Sequence, residues 1–265
     1  ETLATSGVTG SAALATAEGS GSAVGAYAIS AAIGTLAASN YSFAMADGTL
    51  TVTVGPLVIT ANGDSKTYGQ TRSYGAGSTA FTSSGLRNGE TIGSVTLTAC
   101  GGAAANAVVG SYSLTPSAAT GGTFTPANYA ITFNPGTLTV GKAVLTVTAD
   151  NQSRAYGVAN PALTATLSGF VNGENLASSG VSGSAALATT AASDSAVGAY
   201  PSSAAIGTLA SSNYSFTMAN GTLTVTAGPL IITANGDSKT YGQTKTYGAG
   251  STAFTSSGLR NGETI

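Results

Sequence analysis

The chain has 265 residues, of which only 7% are charged and none is histidine or tryptophan, and its formal net charge is −2. Phosphate recognition needs clustered Lys and Arg, whereas the eight basic residues here are scattered, which argues against a nucleic-acid partner. No run approaches the ~20 apolar residues of a spanning helix, and without histidine neither a Ser-His-Asp or Cys-His arrangement nor a zinc site of mixed His and Cys ligands can be built.

Residues 1–92 and 174–265 align without a gap, and 76 of the 92 positions are identical. Such self-similarity marks a modular array. A shorter period lies inside it. The chain opens in residues 1–56, the C-terminal part of a module. There Tyr41, Phe43 and Met45 alternate with small or polar residues up to Asp47-Gly48, and Leu50, Val52 and Val54 follow. Alternation on both sides of such a pair predicts a β-hairpin.

A whole module is expected over 57–142. It begins with the strand Leu57-Val58-Ile59-Thr60-Ala61, continues through Lys66-Thr67-Tyr68-Gly69 and Gly85-Leu86-Arg87-Asn88-Gly89-Glu90, and closes with Asn128-Tyr129 and Gly136-Thr137-Leu138-Thr139-Val140. A second whole module, 143–228, repeats the order. Its landmarks are Leu145-Thr146-Val147-Thr148-Ala149, Arg154-Ala155-Tyr156-Gly157, Gly169-Phe170-Val171-Asn172-Gly173-Glu174, Val197-Gly198-Ala199-Tyr200 and Asn213-Tyr214, and it ends in the same predicted hairpin around Asn220-Gly221. Gly48, Gly136 and Gly221 share one position, which suggests a turn that needs positive φ. Further strands are expected over 162–168, 183–189 and 196–204. Residues 229–265 form the N-terminal part of another module, so the sequence reads as a piece of a longer array.

Short strands between Gly, Asn and Ser turns predict an all-β chain, a tandem array of small Ig-like β-sandwich modules. A β-grasp-like module with one short helix after the Asn-Gly-Glu turn is the alternative. Connections such as Gly55-Pro56 leave little slack, so neighbouring modules should stack end to end, each extending roughly 30–40 Å.

The motifs Arg154-x-Tyr156-Gly157, Asn160-Pro161-x-Leu163, Gly169-x-Val171-Asn172-Gly173-Glu174 and Gly221-Thr222-Leu223-Thr224-Val225 resemble the MBG domain of the Tyr-Gly type. Residues 57–142 depart from the pattern, because no Asn-Pro follows Tyr68-Gly69. The resemblance implies tandem modules of large bacterial cell-surface or secreted proteins, including filamentous-haemagglutinin-like adhesins. It carries no catalytic residues.

Two functions follow as expectations. The first is a stalk or spacer that projects a distal binding region, with neighbouring modules as its partners. The second is a multivalent array that weakly binds glycans, mucin or neighbouring cell surfaces. Tyr68, Tyr156 and Tyr241 share a phase and are the candidate ligand contacts, although a tyrosine in strand alternation commonly serves the core, as is also expected of Tyr27, Tyr112 and Tyr200. No enzyme activity, cofactor or metal is expected. Calcium takes six to eight oxygens, and each Asn-Gly-Glu (88–90, 172–174, 261–263) offers one carboxylate; a turn or helix cap is the simpler role. Asp64 with Lys66, Asp150 with Arg154 and Asp237 with Lys239 are candidate exposed ion pairs. Cys100, the one cysteine, is expected to be buried or half-buried. Four glycosylation sequons (Asn40, Asn151, Asn213, Asn220) are incidental in a bacterial protein.

Overall fold

The computed structural model describes residue 2 and residues 5–265, so residues 1, 3 and 4 of the opening segment lie outside the described residues. The chain divides into two compact units, Glu1–Gly141 and Lys142–Ile265. Among the described residues there is no α-helix, only strands and one short 3-10 turn at Pro126–Asn128. The helix that a β-grasp module requires is therefore missing. After the Asn-Gly-Glu turn, residues 175–179 make a single turn in which Ser179 N–H bonds Asn175 C=O at 2.9 Å.

In the first unit, β1 (Ala13–Ala15), β2 (Gly25–Ala32) and β3 (Gly48–Val52) form an antiparallel sheet. They are followed by β4 (Gly55–Ala61), β5 (Asp64–Thr67), β6 (Phe81–Ser84), β7 (Ile92–Ala99), β8 (Gly110–Gly122), β9 (Tyr129–Asn134) and β10 (Gly136–Gly141). These make two sheets, ordered β6-β4-β9 and β5-β10-β8-β7. The second unit repeats the plan with β11 (Ala143–Ala149), β12 (Gln152–Ala155), β13 (Ala165–Ser168), β14 (Ala186–Thr189), β15 (Gly198–Ala205), β16 (Tyr214–Ala219) and β17 (Gly221–Thr226). Its sheets are β13-β11-β16 and β12-β17-β15-β14, and a separate ribbon pairs β18 (Ile231–Ala234) with β19 (Phe254–Ser257).

Period-two alternation explains the layering. On β11, Ala143, Leu145, Val147 and Ala149 are buried, and on β17 Leu223 and Val225 are buried. In the first unit Leu57, Ile59 and Ala61 of β4 share one core with Val95, Leu97, Leu114 and Phe124. Each pair of sheets is thus a sandwich with its apolar faces inward.

The expected hairpins do not form. β16 runs parallel to β11 in one sheet, with Leu145 opposite Phe216, whereas β17 pairs with β15 and β12 in the other. Asn220-Gly221 therefore carries the chain from one sheet to the other, and Pro135-Gly136 does the same between β9 and β10. Alternation on both sides of a turn gives the inward faces correctly but does not say which sheet each strand joins. None of Gly48, Gly136 and Gly221 has positive φ. Gly136 and Gly221 are instead pressed against the end of the first strand. A Cβ at Gly221 would lie 2.1 Å from the Ala149 carbonyl oxygen, and one at Gly136 would lie 2.5 Å from that of Ala61.

Cys100 is exposed, not buried. It lies just past the end of β7, outside the inward-facing alternation, with its N–H on the Ser113 carbonyl. Residues 41–47 match 214–220 in sequence yet form no strand, and Tyr41 is 48% exposed where Tyr214 is 1% exposed. Among the described residues no strand pairs with them as β11 pairs with β16. Leu230 and Ile232 are likewise open, whereas their counterparts Leu57 and Ile59 are fully buried.

Candidate functional site

The recurring Asn-Gly-Glu is a tight turn in all three places. Asn88 and Gly89 have φ of 54° and 71°, and the Glu90 N–H reaches back to the Arg87 carbonyl at 2.9 Å. Residues 171–174 and 260–263 repeat this, with φ of 57° and 71° and of 54° and 77° at the central pair. Two consecutive left-handed residues define a type I′ turn, which Asn and Gly tolerate best.

A tyrosine from the core holds the turn from inside. The Tyr214 hydroxyl accepts the Val171 N–H at 3.1 Å and donates to Glu174 Oε2 at 2.6 Å. Tyr129 does the same with the Arg87 N–H, at 2.9 Å, and with the Glu90 carboxylate. The bond to Glu90, with burial added, pushes the Tyr129 hydroxyl above its ordinary range. The Phe170 ring meets Tyr214 edge-on, with centroids 5.8 Å apart.

The Tyr-Gly loop is built on a buried cation. Lys66 Nζ donates to the carbonyls of Gln70, at 2.7 Å, and of Ala104. Arg154 donates to Asn160 Oδ1 at 2.6 Å and to the carbonyls of Ala155 and Ala192. Burial pushes the Lys66 ammonium below its usual value. These cations are not the ion pairs expected from sequence, because carbonyls at the sheet end enclose them. Asp64 instead meets Arg72 at 3.5 Å and accepts the Tyr74 hydroxyl at 2.8 Å. Asp150 accepts the hydroxyls of Thr164 and Thr166, and Asp237 pairs with Lys245 at 2.5 Å. Backbone bonds complete the platform: the Gly69 N–H goes to Ala105 C=O, and the Gly157 N–H to Ser193 C=O.

Within each unit one of these turns meets a segment that precedes it in the chain. In the second unit the Tyr156 hydroxyl donates to Glu263 Oε1 at 2.6 Å. Gly157, at φ +72°, lies so close beneath Arg260 that an added Cβ would fall 2.4 Å from the arginine Cβ. In the first unit Asn88 Nδ2 donates to the Ser20 carbonyl at 2.9 Å, and the Val24 N–H donates to Asn128 Oδ1 at 3.0 Å. A polar hollow of about 220 Å³ remains there, lined by residues including Ser20, Ser22, Asn88, Glu90 and Asn128.

Tyr68, Tyr156 and Tyr241 share a phase in the sequence but differ in exposure. Tyr68 is 4% exposed, Tyr156 is half-buried with its hydroxyl on Glu263, and Tyr241 stands fully in solvent at 104%. Tyr27, Tyr112 and Tyr200 bond the carbonyls of Ala23, Val108 and Ala196, each four residues upstream. Sequence reasoning missed the inner tyrosines Tyr129 and Tyr214 as partners of the glutamates. It also missed the buried cations, whose signal was a positive charge two residues before each Tyr-Gly in a chain poor in charge.

Among the described residues no three His, Cys, Asp or Glu side chains gather as metal ligands, and no helix is long and apolar enough to cross a membrane. No curated protein matches the chain. The family model described as MBG domain (YGX type) matches residues 57–139 and again 145–224. With two tandem matches over more than half its length, the chain belongs to the MBG domain (YGX type) family.

Proposed function

We propose that the chain is a stalk or spacer within a bacterial cell-surface or secreted adhesin, where it projects a distal binding region. In this reading 57–142 and 143–228 are complete modules, and 1–56 and 229–265 are parts of their neighbours. The carrying observation is the seating of the Asn-Gly turn on the preceding module by side-chain and backbone bonds. A spacer needs surfaces devoted to its neighbours, and the family's signature tyrosine contributes to one. The test places one or two copies of the 173-residue period beneath a binding tip of known affinity. Reach should grow with each copy while tip affinity stays constant.

The second reading is a weak multivalent array for glycans or mucin, with Tyr68, Tyr156 and Tyr241 as contacts. The open ring of Tyr241 favours it. Saturable glycan binding by the full chain, steepening with copy number as avidity requires, would establish this reading and overturn the spacer.

A further inference from the structure

We propose that the Tyr-Gly loop and the Asn-Gly-Glu turn are the two halves of one lock, in which the loop of each module receives the turn of the module that follows. The inference deepens the spacer reading and rests on its order of modules.

Both halves are shaped for the purpose. The turn needs two left-handed residues, supplied by Asn261 at φ 54° and Gly262 at φ 77°, and it presents Glu263 toward the loop. The loop needs a residue without a side chain where the turn presses on it. Gly157 meets that need twice, through its positive φ and through the approach of Arg260. The tyrosine before it supplies the donor. A hydroxyl 2.6 Å from a carboxylate oxygen is a charge-assisted hydrogen bond, shorter and stronger than a neutral one.

A carboxylate has acceptor capacity on both oxygens. Glu174 gives Oε2 to the tyrosine of its own module, and Glu263 gives Oε1 to the tyrosine of the module before it. One glutamate can therefore close its own turn and fasten the joint. The first-unit joint uses the same turn against the same end of the preceding segment, through Asn88 on Ser20. The residue that opens the turn is Arg at 87 and 260 but Val at 171, so the three turns differ in the side chain that leads into them. A lock of this kind makes a Tyr-Gly end the docking surface for any module that carries an x-Asn-Gly-Glu turn.

The test uses the full chain and hydrogen exchange of the Glu263 amide, the bonded amide of the turn, with β11, β14 and β15 as internal folding controls. Tyr156→Phe should speed exchange of the Glu263 amide, which bonds the Arg260 carbonyl, about three- to tenfold, the loss of one exposed charged hydrogen bond. Gly157→Ala should do so at least as strongly, and neither should change exchange in the controls. A second readout follows the Tyr156 hydroxyl directly. It faces Glu263, Asn261 and Asp194, and the bond to Glu263 raises its titration above the usual value. Glu263→Gln keeps an acceptor but removes the charge, so one tyrosine should titrate lower in ultraviolet absorbance while the controls stay protected. Unchanged exchange of the Glu263 amide in both loop variants, or an unchanged tyrosine titration in Glu263→Gln, overturns the lock. Glycan binding would sink the spacer reading and leave these exchange results standing, so the two failures are distinguishable.

Discussion

Gly48, Gly136 and Gly221 hold one position in three copies, and alanine at each should give three different results. At Gly221 the new methyl would lie 2.1 Å from the Ala149 carbonyl oxygen and 3.1 Å from that of Asp150. Both are backbone atoms, so β11 and β17, each internal to its sheet, must separate by nearly an ångström. Overpacking of this kind costs about 1–3 kcal/mol. In a module of this size each kcal/mol shifts Tm by about 4–8 °C, so Gly221→Ala should lower the melting of its module by roughly 5–20 °C. Gly136→Ala, 2.5 Å from the Ala61 oxygen, should act in the same direction and somewhat less. At Gly48 the nearest atom is Ile29 Cβ at 3.7 Å, and φ is not positive. Gly48→Ala should therefore be neutral, or stabilise by about 0.4–1 kcal/mol through the unfolded chain. The assay is thermal unfolding followed by hydrogen exchange resolved to β2, β4 and β11. If Gly221→Ala costs no more than Gly48→Ala, the account of the crossover is wrong.

Three further outcomes are expected. The Tyr74 hydroxyl is raised to about 12 by burial and by its bond to Asp64; its contribution to stability should be complete below pH ~10 and be lost as the pH climbs toward 12. Tyr74→Phe should flatten that alkaline loss, and an unchanged profile would dismiss the coupling. Cys100 is exposed, so a maleimide should label the native chain once and rapidly, whereas slow labelling gated by unfolding would contradict its placement. Among the described residues β18 pairs only with β19, and Leu230, Ile231 and Ile232 stand exposed at its start; open edges template association. The 265-residue chain should self-associate at concentrations where residues 57–228 stay monomeric; equal monodispersity and equal melting of the two would refute this.

Strands, turns and repeat order were legible because they depend on local pattern. The alternation Leu145, Val147, Ala149 marks one face of β11 from sequence alone, and Asn-Gly-Glu at 88–90 was legible as a turn or helix cap. The destination of each strand was not legible. Tyr214–Met218 and Leu223–Val225 read as a hairpin because nothing local distinguishes a turn within a sheet from a crossing between sheets. The role of Gly221 depends on where β11 ends, 72 residues earlier in the chain. The same limit hid the cations, since Asp150 and Arg154 are close in sequence but turn toward different partners. The proposed lock shows in the sequence only as two recurring motifs, because the residues that meet, Tyr156 and Glu263, lie 107 positions apart.

Solution scattering on residues 57–228 tests the central claim most directly. Two modules of about 86 residues laid end to end, with centres about 35 Å apart, give a radius of gyration near 21 Å and a maximum dimension of about 70 Å. One compact body of the same length would give about 16 Å. The spacer account predicts the larger value, and the smaller one would contradict it by showing that the modules fold back on each other.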